Sequence, residues 1–158
     1  MMKLTILCAG RIKEKHYSDA TAEYIKRLGA YCETSVVDIR EERTDNPSDA
    51  EVAAALAREG AELLARIPKG AFVVAMCVEG RGLSTEQLAD TLRDVAQTHS
   101  RLCIIIGSSF GLHDDVKKAA NLRLSMSKMT LPHSLARVMA TEQLYRAFNL
   151  INGGKYHK

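Results

Sequence analysis

Short runs of consecutive apolar residues alternate along the chain with longer stretches in which apolar positions recur every three or four residues. The runs Lys3 to Cys8, Ser35 to Ile39, Ala71 to Val78, Leu102 to Ile106 and Leu122 to Met126 predict strands. Several lack the in-and-out alternation of a half-exposed strand, which points to a parallel sheet covered on both faces by helical crossovers. The stretches between them carry helix signals. A first helix from about Glu14 to Leu28 turns Tyr17, Ala20, Tyr24 and Leu28 to one side. Asn46 before Pro47 reads as an N-cap with a first-turn proline, and Val52, Leu56, Leu63 and Ile67 follow until Pro68 ends the segment. Ser84 with Gln87 has capping-box spacing ahead of Leu88, Leu92 and Val95. Arg40 to Asp45 reads as a charged, mobile loop. The pattern predicts one doubly wound α/β domain.

The last helix, about Ser134 to Ile151, breaks the amphipathic rule. At roughly 100° per residue, Leu135, Val138, Met139, Leu144, Tyr145, Phe148, Leu150 and Ile151 point almost all round its axis. Such a helix needs cover on more than one side, either from a second copy of the chain in a homodimer or from a central position within one copy. Its polar residues cluster, with Glu142, Arg146 and Asn149 inside an arc of about 60°.

Composition narrows the class. A chain of 158 residues suits a single core, and 46% apolar with 26% charged residues excludes disordered, collagen-like and disulfide-stapled classes. The longest apolar runs fall well short of the ~20 residues of a membrane span, and the first residues lack a cleavage-type signal, so cytoplasmic residence without a membrane partner is expected. Cys8, Cys32, Cys77 and Cys103 stand alone without ligand spacing, which implies reduced thiols and no metal site. The net charge of +3 hides an asymmetry. Residues 117–158 carry eight Lys or Arg (Lys117, Lys118, Arg123, Lys128, Arg137, Arg146, Lys155, Lys158) against the single acid Glu142. That surface either faces a polyanion such as nucleic acid or is a solvated basic face.

Three segments could carry chemistry. Ile104 to Gly111 is an apolar strand leaving into a glycine- and serine-rich loop, where open α/β sheets place their ligands, although it matches neither a dinucleotide nor a P-loop fingerprint. Ser125 to His133 is rich in methionine and leucine yet placed between strand and helix, suited to core filling or to an adenine-like ligand held by free backbone groups. His133 reads as a cap, a core residue or a catalytic group. The tail Asn152 to Lys158 ends in Tyr156, His157 and Lys158, able to stack on a base and meet phosphate, or else to fray.

These segments together resemble the SPOUT-class methyltransferases that modify N3 of a pseudouridine in bacterial large-subunit ribosomal RNA. The resemblance rests on Ile106-Gly107 with Gly111, on Leu124 to His133, on Arg137-Val138 with Glu142 to Ala147, and on Tyr156-His157-Lys158. It implies a single domain over residues 1–158 whose part from about 101 onward forms a deep trefoil knot and a dimer helix. It also implies S-adenosylmethionine bound by Met76, Gly107, Met126, Ser127, Lys128, Met129, Thr130 and Leu131. A homodimer is implied, as is a ribosomal RNA substrate within the ribosome. Two departures stand out: Ser108, where relatives commonly have a second glycine, and Lys155 before the terminal Tyr-His.

The reaction class adds roles to these residues. N3 of pseudouridine is a weakly acidic imide, so methylation needs in-line positioning and a way to remove or stabilise the departing proton's charge. The resemblance assigns Tyr156 and His157 to that chemistry, with Glu142 and Arg146 organising the pocket or merely forming an i, i+4 ion pair. Arg137, Lys128 and Lys158 would hold phosphates. Competing classes are a non-catalytic RNA-binding module with the same basic surface and a nucleotide-dependent oxidoreductase. Cys8-Ala9-Gly10-Arg11 after the first strand lacks the fingerprint of the latter.

Overall fold

The computed structural model describes residues 1–42 and 45–158. The elements run β1 (Met2–Ala9), α1 (Lys15–Leu28), β2 (Cys32–Ile39), α2 (Asp49–Arg66), β3 (Phe72–Gly82), α3 (Thr85–Thr98), β4 (Arg101–Ile106), α4 (Asp114–Ala119), β5 (Leu122–Ser125) and α5 (His133–Ile151). The strands pair in the order β2-β1-β4-β3-β5, every pair parallel. All five predicted strands form, with β2 starting earlier and β3 ending later than the apolar runs suggest.

The unalternating strands are buried on both faces. In β4, Leu102, Ile104 and Ile106 join one core with α1, α3 and α5, whereas Cys103 and Ile105 join a second core with α2 and α4. Either face removes enough apolar surface for each fully buried Leu or Ile to contribute about 1.5–3 kcal/mol.

Helix starts follow local hydrogen-bond chemistry. At α3 the capping box forms as the spacing predicts, with Gln87 N donating to Ser84 Oγ (3.1 Å) and Ser84 N to Gln87 Oε1 (2.9 Å). At α2 the expected Asn46–Pro47 start is displaced by two residues. Asn46 takes a positive φ of 45°, and Ser48 caps instead because Glu51 three positions on can return its bond. The charged loop expected over Arg40 to Asp45 includes positions 43 and 44, which lie outside the described residues.

Helix α5 lies on the sheet with α1 on one side and α3 on the other. Of its all-round apolar residues, Leu144 and Phe148 are thereby buried within one copy of the chain. Leu135, Val138, Met139, Tyr145, Leu150 and Ile151 stay only half-buried. Among the described residues no helix is long and apolar enough to cross a membrane. The cysteines are free, and burial pushes the thiols of Cys8, Cys32 and Cys103 up to about 12, which leaves them inert at neutral pH.

Candidate functional site

A cavity of about 830 Å³ opens beyond the carboxyl ends of β3, β4 and β5. Three chain segments wall it. The first leaves β4 at Gly107, where any side chain would overlap the carbonyl of Gly111, so the turn requires glycine there. Gly111 has a φ of +87° and donates its N–H to Ser108 O (2.9 Å), closing the turn. Ser108 turns its hydroxyl to Glu59 Oε1 (2.7 Å) on α2 and accepts from Phe110 N (3.3 Å).

The second wall is the stretch after β5, which makes two local bonds to its own side chains. Ser125 Oγ donates to Ser127 O (3.0 Å) and Met129 N to Ser127 Oγ (3.0 Å). The third is the end of β3. There the pairing with β5 shifts register between Met76 and Arg81, so the intervening residues bulge, and Met76 to Glu79 line the rim. An ion pair with Lys117 of α4 holds the Glu79 carboxyl below its ordinary range. His133 and Ala136, in the first turn of α5, close the floor.

Of the eight residues proposed to bind cofactor, Met76, Gly107, Met126, Ser127, Met129, Thr130 and Leu131 surround this one cavity. Lys128 is exposed and outside the lining. Met129, 77% exposed, stands at the mouth.

The other four residues gather elsewhere. Past the end of α5 the chain turns back at Gly153 (φ +76°), and the tail lies along the helix it has just left. Asn149 pins it: Asn149 O accepts from Gly154 N (2.8 Å), its Oδ1 accepts from Tyr156 N (3.2 Å), and its Nδ2 donates to Tyr31 Oη (2.9 Å). Tyr156 Oη donates to Glu142 Oε1 (3.1 Å), which also accepts from Arg146 Nε (2.9 Å). The Arg146 guanidinium lies over the Tyr156 ring at 4.5 Å, and Tyr145 packs beside it at 4.8 Å. Burial, then the hydrogen bonds to Glu142 and Tyr24, push the Tyr156 phenol up to about 12. His157 sits 2.8 Å from Glu86 Oε1 through Nε2 and 3.4 Å from Arg146 through Nδ1. Its bond holds the Glu86 carboxyl low.

These two assemblies occupy opposite ends of α5. The ten steps of helix from Ala136 to Arg146 span about 15 Å, and none of Glu142, Arg146, Tyr156 and His157 lines the cavity. The tail is nonetheless bound, not frayed.

One expectation is overturned. Arg137, expected on RNA phosphates, is 4% exposed and spends its guanidinium on Asp38 Oδ1 (3.0 Å) and Gly10 O (2.6 Å). It faces inward because its position on α5 meets the ends of β1 and β2. Sequence reasoning also missed Glu59, Glu86 and the Glu79–Lys117 pair, whose partners lie far apart in the chain. Exposed cations that it passed over, Arg11 and Lys13, stand on the β1–α1 loop. That loop adjoins the start of α5, where Glu14 lies close to Ser134 and His133.

Comparison with known proteins places this architecture. A solved methylase family protein, described as probable, from Haemophilus influenzae superposes with a TM-score of 0.57 at 15% identity, covering 99% of this chain and 71% of that one. A probable methyltransferase from Bordetella pertussis gives 0.57 at 14% identity, covering 93% and 96%. A protein from Legionella pneumophila, described as a methyltransferase in complex with its bound cofactor SAM, gives 0.51 at 15% identity, covering 92% and 66%. At this identity the structures establish a shared fold. The family described as Predicted SPOUT methyltransferase matches residues 2–157, nearly the whole chain, and this protein belongs to that family of methyltransferases.

Proposed function

We propose that this protein transfers a methyl group from S-adenosylmethionine to N3 of a pseudouridine in bacterial large-subunit ribosomal RNA, acting as a homodimer on the assembled ribosome. The observation that carries this reading is the separation just described: a cavity at one end of α5 and a folded cluster of Tyr156, His157, Glu142 and Arg146 at the other.

The residues present fit the donor. A cavity of about 830 Å³ lies within the range of roughly 300–1,000 Å³ that holds drug-sized ligands. Its thioether and branched walls (Met76, Met126, Leu131) suit an adenine, and the irregular backbone of 107–111 and 126–131 supplies N–H and C=O groups for its edges. Bound S-adenosylmethionine supplies an electrophilic methyl group on a sulfonium. The chain's own work is to orient the acceptor and manage one proton.

Tyr156, with its phenol up at about 12, is a hydrogen-bond donor at neutral pH and not a base. His157 accepts the N3 proton or positions the base, with Glu86 on its far nitrogen. Arg146, fixed by Glu142, directs positive charge toward the imide as it becomes anionic. In this reading the tail of one copy serves the cavity of the other, the half-buried side of α5 forms the dimer contact, and the knot implied by the resemblance shapes the cofactor loops. Lys128, Lys158, Arg11 and Lys13 would meet phosphates.

The test is transfer of a labelled methyl group from S-adenosylmethionine to undermethylated bacterial ribosomes, intact and split into subunits, with the modified nucleotide mapped. Label on a large-subunit pseudouridine is expected, and the split shows the need for assembly. Cofactor binding without label would redirect the enzyme to another RNA. Absence of cofactor binding would favour a non-catalytic RNA-binding module.

A further inference from the structure

Directly behind the cofactor loop lies a carboxylate that takes no part in the chemistry above. Glu59, in the middle of α2, is 3% exposed. Its two oxygens are divided between two loops: Oε1 accepts from Ser108 Oγ (2.7 Å), and Oε2 accepts from Glu42 N (3.0 Å) just after β2. Among the described residues no cation pairs with it, and burial raises its carboxyl above the ordinary range. An unpaired buried carboxylate is costly to hold, and a well-packed apolar residue would be cheaper for stability alone.

The neighbouring residue works in the same direction. Gly60 lets α2 close on the far end of the loop, since a Cβ there would come within 2.8 Å of His113 Cβ. Consecutive residues of α2 thus brace the two ends of the segment from Gly107 to His113. Between them, the hydroxyl that donates to Glu59 also accepts from Phe110 N (3.3 Å), which fixes the course of the turn. Ser109 Oγ makes a longer bond (3.4 Å) to Glu41, on the same β2–α2 connection.

We infer that Glu59 is a positioning residue for the methyl-donor site: through the Ser108 hydroxyl it locks the Gly107–Gly111 turn in its ligand-receiving shape and ties that turn to the connection after β2. Glu59 itself is absent from the cavity lining. It acts only through the Ser108 hydroxyl. The inference rests on the cavity being the S-adenosylmethionine site.

Ser108→Ala removes the hydroxyl with little change in volume, so the variant should fold. Calorimetry with S-adenosylmethionine and steady-state methylation are expected to show the donor's Kd and KM raised about tenfold, the loss of one charge-assisted hydrogen bond, with kcat at saturating donor within about twofold of wild type. Amide exchange at Phe110 should quicken. Glu59→Gln, which keeps the shape but supplies one acceptor for two donors, should give a similar KM effect. The double variant should be no worse than Ser108→Ala, because both changes break one link. A general loss of stability would instead lower the active fraction and kcat with KM unchanged, and that result overturns the inference, as does wild-type donor affinity in Ser108→Ala. If the wild-type protein binds no S-adenosylmethionine, the reading of the cavity fails. Phe110 exchange then decides alone whether Glu59 locks the turn.

Discussion

The two ends of α5 are built by opposite means. At its start, the cavity is walled by strand ends and by irregular loop backbone, with Met, Leu and Gly beside Ser and Thr in its lining and the Glu79–Lys117 ion pair at the rim. At its end, every important atom is a side-chain head group engaged with another: Tyr156 on Glu142, Arg146 on Glu142 and over Tyr156, His157 on Glu86. Backbone and thioether surfaces grip a neutral purine well, whereas moving a proton needs placed charge. On the proposed reading, holding and reacting fall to separate ends of one helix, and a second copy would bring them together.

The strongest way to break this comparison is to remove the tail. Deletion of residues 156–158 should reduce methyl transfer by about 10³-fold or more while calorimetry shows donor binding near wild type; retained activity would place the chemistry elsewhere. A mixed population of tail-deleted chains and chains carrying Gly107→Val should regain about a quarter of wild-type activity if sites are shared between copies, and none if each copy is self-sufficient.

Next in size is Arg137. Arg137→Met leaves Asp38 and the Gly10 carbonyl without their donor and should cost about 2 kcal/mol in denaturant unfolding, with RNA affinity unchanged; weakened RNA binding in the folded variant would return Arg137 to the phosphate surface. Reversing charge on the β1–α1 loop with Arg11→Glu and Lys13→Glu should weaken ribosomal RNA binding about tenfold and flatten its salt dependence. The same reversal at Lys3 and Arg101, at the opposite ends of the strands, should do much less. Equal effects from both pairs would mean diffuse charge and not a binding edge.

The smallest effect is spectroscopic. The chain has no Trp, so tyrosinate absorbance is uncluttered, and one of its five tyrosines should titrate late, at about 12. In Glu142→Gln this step should move partway toward 10, since burial is the larger cause and Glu142 the smaller. The raised folded value also sets a sign. Between about pH 10 and 12 the unfolded phenol ionises first, so the docked tail loses stability as pH rises.

Much of this was legible in the amino-acid order because it is local. The unalternating runs gave the buried parallel sheet, Ser84 with Gln87 gave a real cap, and the methionine- and leucine-bearing stretch from Ser125 to His133 does wall the cavity, although Lys128, Met129, Thr130 and Pro132 are exposed. Contacts closed by tertiary folding were not. Nothing near Glu59 in sequence signals Ser108 forty-nine residues on, nothing near His157 points to Glu86, and Arg137 reads as a surface cation until its helix is laid over the ends of β1 and β2. Asn46 misled because an Asn–Pro pair is a good helix start in isolation, while Ser48 with Glu51 is a better one two residues later.

The seat of α5 has a further consequence in time. The strands and helices it covers are complete by Ser125, yet Ala140, Leu144, Ala147 and Phe148, which seal that face of the sheet, are made after them. During synthesis from the N-terminus, Leu4, Ile6, Leu102, Ile104 and Ile106 therefore wait half-covered at the ribosome's exit until α5 emerges. A stalled or shortened chain would display an apolar floor ready for chaperone capture or aggregation.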